Sequence, residues 1–526
     1  MKRIFLLMLG AGCLTTAGAQ IRLGDGQLSG SFETNTIFYV NDHGMGNAGQ
    51  APDDHFGSNN YLKVDYNYGR FSAGLQVDAY LPALQGFELG QQPDYHKFYL
   101  SSKYIQWQDR NFSVLVGDIF DQFGNGLIFR SYEDRQLGMN NSLEGIRGQY
   151  RFGRYVEVTG MYGRPRLYTD YADSWVRGAD VKVSLADIFN FPELRLSVEG
   201  SYVNRYESFG KDEDLDFTFA ERGLTSPNLN MYSGRLNADY KGFSFRGEYV
   251  HKSKDLASSF APAAAEGYAA LGEIGYSYKG FSFSGSVRAL DNMGTMLTLY
   301  GSGTGNTLNY LPALTRQYTY SLANLNPYQV NVIGELGGQV DLYYTLRNPQ
   351  TRSKYWNFHA NFSTFYTLHD ADASGRQLLW RDINVDVERQ WNRQWKSTFL
   401  FSRQEWEHNG LITSNIFVAD VTWRINRKSS LRGELQYLLS DDGEGDWIAA
   451  GLEYSLAPRW SFFVNEMTNL DVTETTYYSG GFSYTKHRTR VQISYGRNRA
   501  GYICSGGVCR YSPAYTGVNV QLTSSF

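Results

Sequence analysis

The sequence predicts an all-β protein, a transmembrane antiparallel β-barrel of about 24 strands with short turns at one end and long loops at the other. Three observations lead there. Apolar and polar residues alternate with a period of two through most of the chain, as strands with one apolar and one polar face require. No segment beyond the first twenty residues approaches the run of about 18 apolar residues that a membrane-spanning helix needs. Tight and long connections alternate, and they keep phase along the chain. Composition agrees: 40 Tyr, 32 Phe and 10 Trp against only 12 Pro favour strands.

The faces can be assigned residue by residue. "LKVDYNY" sets Leu62, Val64, Tyr66 and Tyr68 against Lys63, Asp65 and Asn67. "ADVKVSL" sets Ala179, Val181, Val183 and Leu185 against Asp180, Lys182 and Ser184, and "LRLSVEGSY" repeats the pattern. A soluble sandwich alternates too, with its polar face outward, so alternation alone leaves both architectures open. The connections favour the barrel. "YKGFSF" occurs twice, at Tyr240 to Phe245 and Tyr278 to Phe283, each time as a tight turn between long strands, the mark of a hairpin meander. Against short turns such as "APR" (Ala457 to Arg459) and "KHR" (Lys486 to Arg488) stand long loops near 41–60, 204–230 and 291–328. Outer-membrane barrels show this asymmetry, with periplasmic turns short and extracellular loops long.

Both ends of the sequence fit that address. "MKRIFLLMLGAGCLTTAGAQ" has a basic start, an apolar middle too short to span a bilayer, and small residues before Gln20, so residues 1–19 read as a signal peptide. Its removal leaves 20–526, a single barrel domain without room for a separate amino-terminal plug domain. It also moves the formal charge from −4 to −6, and such acidity argues against a nucleic-acid partner. At the other end, "YTGVNVQLTSSF" is an amphipathic strand closing on Phe526. It resembles the carboxy-terminal signal of outer-membrane barrels. The resemblance implies insertion by the barrel-assembly machinery through Phe526, and an integral place in the outer membrane of a Gram-negative bacterium, in contact with its lipid. Cys504 and Cys509 in "CSGGVC" predict a disulfide clipping one loop, since no histidine or second cysteine pair lies beside them to complete a metal site.

The inferred inner face carries both signs, for example Asp180, Lys182, Glu199, Arg235, Glu335 and Asp386. Pairs holding neighbouring strands in register explain such a wall more economically than solute recognition does. Short turns are rich in Lys and Arg, and long loops in acids. The acidic "DDGEGD" (Asp441 to Asp446) lacks the full spacing of a calcium loop and reads as a solvated turn. No metal or other cofactor is expected.

Two loop segments break the alternation. In Gly117 to Gly145, "GDIFDQFGNGLIFRSYEDRQLGMNNSLEG", Ser131 is placed to cap a short helix, Glu133 and Asp134 sit in its first turn, and Gly138 can end it. Arg130, Glu133, Asp134 and Arg135 on this turn, with Arg316 from the second segment, are the candidates for a lumen constriction. In that second segment, "YLPALTRQYTYSLANLNPY", Pro312 suits a first helical position, and Leu311, Leu314, Tyr318, Leu322 and Leu325 recur at helical spacing. Such an apolar stripe must be covered by the lumen, by other loops or by a partner protein. These segments, with "GELGGQVDLYY" after them, resemble an uncharacterised outer-membrane β-barrel family of Bacteroidota. The resemblance implies a fold and an address but no activity.

Function classes follow from the same residues. No enzyme and no catalytic residue is expected: His369 beside Asp370 comes nearest to a catalytic pair, without an evident nucleophile. A porin-like channel or transporter, narrowed by a loop and carrying an unnamed solute, is the leading expectation, because an open barrel of this size would leak. The alternative is a non-conducting barrel serving as scaffold subunit of a larger outer-membrane assembly, a secretion or polysaccharide-export complex, with other outer-membrane proteins or lipoproteins as partners. The many Tyr and Trp suit glycan stacking, but interfacial aromatic girdles account for them first.

Overall fold

The computed structural model describes residues 21–526 apart from 92–94, 348–349, 352–353, 372, 374, 473–474 and 506–507. The expected signal peptide, residues 1–19, lies outside the described residues. Twenty-four long antiparallel strands follow one another around a closed barrel, from Gly26–Val40 to Tyr515–Ser525. The seam joins these two strands, with Ser31 opposite Ser525 at one end and Val40 opposite Thr516 at the other. Closure removes the free edges that an open sheet would expose.

The period of two sets what each face meets. Leu62, Leu75, Ile105, Val116, Val198 and Val287 are exposed on the outer face, where the hydrocarbon of a bilayer is their solvent. Between them the polar positions turn inward, and Ser101, Asp78, Asn361, Ser363, Asp382 and Gln404 are buried there. The turns at Lys241–Gly242 and Lys279–Gly280 join strands as "YKGFSF" predicts. At the second, Lys279 and Gly280 both adopt positive φ, the left-handed pair that a two-residue type I′ hairpin turn requires.

Charges on the inner face pair mostly across strands. Arg235 reaches Asp180, Glu199 at 3.0 Å and Glu248 at 3.8 Å, and Lys182 joins Glu199 at 3.4 Å. Arg432 bridges Asp420 at 2.8 Å and Glu434 at 2.6 Å. Cross-strand pairs of this kind resist a slip in register, which would carry charges into lipid.

Candidate functional site

Two loops leave the outer end of the wall and fold back against its inner face. The first, residues 120–142, is not the short helix expected. Gln122–Phe123 pairs with Phe129–Arg130, and Glu133–Asp134 pairs with Met139–Asn140, so the loop is two small hairpins. The reason is local. Asp134 Oδ1 accepts hydrogen bonds from the amides of Gln136 and Leu137, closing a turn before a helix can start, and Gly138 takes a positive φ. A helix of two turns has little to offset its nucleation cost, whereas the hairpin buries Leu137 and Met139.

The second loop, residues 292–333, is irregular, with one 3-10 turn at Leu322–Asn324 where the leucine spacing predicts a longer helix. The apolar stripe is divided instead. Leu311 and Leu314 pack with Leu229, Met231 and Val250 of one sector of the wall, while Leu322 and Leu325 pack with Leu400, Ile416 and Trp447 of another. An extended run of eleven residues reaches about 36 Å, and the same run as a helix only about 16 Å. Extension lets one segment meet both sectors, so the lumen itself covers the stripe.

Wall side chains hold this loop by its backbone. Arg205, Lys252 and Arg288 donate to the carbonyls of Met296, Gly294 and Pro312, with the first two bonds at 2.8 and 2.9 Å. At the other sector, Gln436 accepts from the Leu322 amide at 2.9 Å and Gln404 donates to the Ala323 carbonyl at 2.9 Å. Two of the cations are themselves in buried ion pairs, Arg205 with Asp255 at 3.0 Å and Arg288 with Glu335 at 2.6 Å. A buried charge without such a partner would be costly. The two loops also bond to one another: the Arg130 amide donates to the Leu308 carbonyl at 3.0 Å, and the Tyr310 amide to that of Gly126 at 2.9 Å.

The five constriction candidates therefore stand in different roles. Arg135 pairs with Glu33 of the first strand at 2.9 Å and with Glu133 at 3.4 Å, and it bonds Gln76 at 3.0 Å. Glu133 accepts from the same Gln76 at 2.6 Å. Arg316 pairs with Asp386 at 2.6 Å, and Asp386 also meets His359 at 2.9 Å. Asp134 closes its own turn. Arg130 touches no carboxylate among the described residues; its guanidinium lies between Tyr132 and Tyr310, at 4.2 and 4.0 Å from their rings. Arg205, Lys252 and Arg288 escaped the sequence reading, though inward cations near the long-loop ends of strands mark where a loop must be held.

Elsewhere, Cys504 and Cys509 form a disulfide in the hairpin that joins the last two strands. His369 meets Asp291 of the wall at 3.3 Å rather than a nucleophile. In "DDGEGD", Asp442 accepts from the amides of Glu444 and Gly445, and Glu444 pairs with Arg499 at 2.7 Å. Asp42, in the first outer loop, is held by Nε and Nη2 of Arg497, each at 2.7 Å, and these hydrogen bonds bring the pKa of its carboxyl down to about 2.

Beside these two loops, a line of cavities follows the wall formed by the strands from Ser429–Ser440 to Thr489–Asn498. The outermost, about 420 Å³, lies between the two loops and the seam strands. It adjoins one of about 360 Å³ through Ser321, Met467, Asn498 and Arg499, and that one adjoins a third of about 300 Å³ through Arg432, Glu434 and Asn465. The third reaches Arg490, next to the turn at the inner end.

A family model matches residues 1–526, the full sequence, and its description is a family of unknown function, DUF6029. The chain belongs to that family. No curated protein matches its sequence. Among solved structures it is similar to the translocation pore of the P pilus usher PapC, at 9% identity and a TM-score of 0.46, over 95% of this chain and 99% of that one. It is similar to OccK8 (OprE) of Pseudomonas aeruginosa at 12% identity and a TM-score of 0.42, over 76% and 98%. A BenF-like porin from Pseudomonas fluorescens Pf-5 is similar at 12% identity and a TM-score of 0.38, over 79% and 98%.

Proposed function

We propose that this DUF6029 protein is an outer-membrane channel whose lumen is narrowed by its own loops, leaving an eccentric path along the late strands. The observation that carries this reading is the line of adjoining cavities running from the outer loops to Arg490. Its walls are polar and carry both signs, as a path for hydrated solutes needs. Residues 120–142 and 292–333 pack against the wall of the earlier sectors, and the cavity of about 800 Å³ that remains there, beneath Gly124 and Asn125, shares no lining residue with this line. Insertion through the Phe526 strand by the barrel-assembly machinery and residence in outer-membrane lipid belong to the same reading.

The test is conductance in planar bilayers. Arg135 stands between plug and seam strand, and Arg130 stacks between the two loops, so replacing both by alanine is expected to raise single-channel conductance or change ion selectivity. Unchanged conductance in a well-folded double variant removes the constriction role.

Dense packing of the plug favours a second reading, a non-conducting barrel that serves as one subunit of a larger assembly. Affinity purification in mild detergent separates the two. A scaffold brings other outer-membrane proteins or lipoproteins in stoichiometric amounts, and a simple channel does not.

A further inference from the structure

The outermost cavity has an imbalance of charge. Among the described residues, Arg135, Arg499 and Arg510 line it, and no aspartate or glutamate does. Two of these cations are neutralised from behind, Arg135 by Glu33 at 2.9 Å and Arg499 by Glu444 at 2.7 Å. Arg510 is not. It is 7% exposed, and its Nε and Nη1 donate to the backbone carbonyls of Gln136 and Gly86 at 2.8 and 3.3 Å. Its guanidinium lies 4.1 Å from the centre of the Phe87 ring. No carboxylate pairs with it among the described residues, and its Nη2 makes no hydrogen bond there. Carbonyl dipoles and a ring face stabilise a guanidinium only in part. Burial lowers the proton affinity of Arg510, yet arginine keeps its proton in proteins, so the charge stays.

The rest of the lining suits a small organic solute. Asn35, Gln85, Gln136, Asn324 and Asn519 offer amide donors and acceptors, and the rings of Tyr39, Phe87 and Tyr515 offer flat apolar faces. About 420 Å³ falls within the usual size range of small-molecule sites. Three loops build the place together: Gly86 lies in the loop between the third and fourth strands of the barrel, Gln136 in the plug, and Arg510 in the disulfide hairpin.

We propose that this cavity is a binding site for a small organic solute bearing an oxyanion, a carboxylate or a phosphate, with Arg510 as the cation that the solute neutralises. The proposal names a solute class for the path described above and rests on that reading for its purpose, while its geometry stands without it. The anion meets the Nη2 amino group, the guanidinium nitrogen that no backbone carbonyl engages. Uncharged solutes of the same size leave Arg510 unpaired and bind less well.

Isothermal titration of the full-length, detergent-purified protein tests this with gluconate, glucose 6-phosphate and uncharged glucose. At least one anion is expected to bind and glucose is not, and Arg510→Gln is expected to weaken anion binding by about tenfold or more. Arg510→Lys, which keeps the charge, retains part of the affinity. Equal binding of glucose, no binding of either anion up to about 10 mM, or wild-type affinity in a folded Arg510→Gln variant each overturns the site. Preference for gluconate over glucose 6-phosphate, or the reverse, assigns the oxyanion. Bilayer conductance measured on the same samples keeps the two readings apart: binding without conductance leaves the site and removes the channel, and conductance without binding does the opposite.

Discussion

Gly30 and Phe526 lock together across the seam of the barrel. Each donates its amide to the other's carbonyl, at 3.1 Å from Gly30 and 2.9 Å from Phe526, and the Phe526 ring lies over the glycine. A Cβ on residue 30 would stand 2.4 Å from Phe526 Cζ and 2.7 Å from the Lys63 carbonyl. The terminal aromatic is thus part of closure itself.

Gly30→Val is accordingly expected to destabilise the barrel by about 1–3 kcal/mol, the usual cost of overpacking. The measurement is the temperature at which the folded band converts to the unfolded band on a detergent gel. Adding Phe526→Ala should recover part of the loss, and only part, because the Lys63 carbonyl still meets the new side chain. No change in the single variant would mean that the seam relaxes freely.

Arg288 and Glu335 are fully buried partners that hold residues 292–333. Arg288→Met alone leaves the Glu335 carboxylate facing only Tyr328 and the Asn331 amide, and is expected to cost about 3–5 kcal/mol. Limited proteolysis should then cut the released loop sooner than in the parent protein. Arg288→Met with Glu335→Leu should protect the loop better than Arg288→Met alone, since no unpaired charge remains.

Asp42 sets an acid limit on the first outer loop. Its carboxyl is lowered from 3.8 to about 2, chiefly by its hydrogen bonds to Arg497 and further by the Thr516 hydroxyl and the Gly44 amide. A depressed carboxylate contributes stability that is fully present above its unfolded value and is lost as pH falls through the folded one. The protection of amides around residues 42–49, relative to their intrinsic exchange rates, should therefore be constant from neutral pH down to about 4 and fall towards pH 2. Asp42→Asn should show the lower protection already at neutral pH.

The Cys504–Cys509 bond closes a short loop, worth about 2 kcal/mol of chain entropy to its hairpin. It contributes little to the barrel, whose strands are paired independently. Reduction is expected to leave the heat-induced band shift unchanged while exposing Arg510 to trypsin. If the whole barrel melts earlier on reduction, the hairpin bears on the wall more than its contacts indicate.

The barrel was legible because a period of two carries to the whole sheet: knowing that Lys63 faces inward places Asp65 as well. Short and long connections then gave the two ends. Arg135 and Arg316 were legible only as constriction candidates; the acids they meet, Glu33 and Asp386, are brought to them by the fold. Arg130 was not legible in its actual role, since its partner ring, Tyr310, is remote in sequence and a stacking contact leaves no spacing signal. The helix expected in the second loop failed for a related reason: leucines three and four apart suit one helix face, but equally an extended segment dealing them to two walls. Arg510 adjoins a cysteine whose pairing accounted for the segment, and only the folded hairpin brings it to Gly86 and Gln136.

Residues 292–333 are tied to the wall at both ends and gripped again at Gly294, Met296, Pro312, Leu322 and Ala323. The loop is therefore a tie between two sectors of the wall. Inside the hoop of 24 strands this chord joins the sector around Met231 to the sector around Ile416. A plug hung from one tether can be pulled out; a brace cannot leave without changing the cross-section of the ring. Opening this protein wider is in that sense a change of shape of the whole hoop, and force on the late strands would be felt at Arg288.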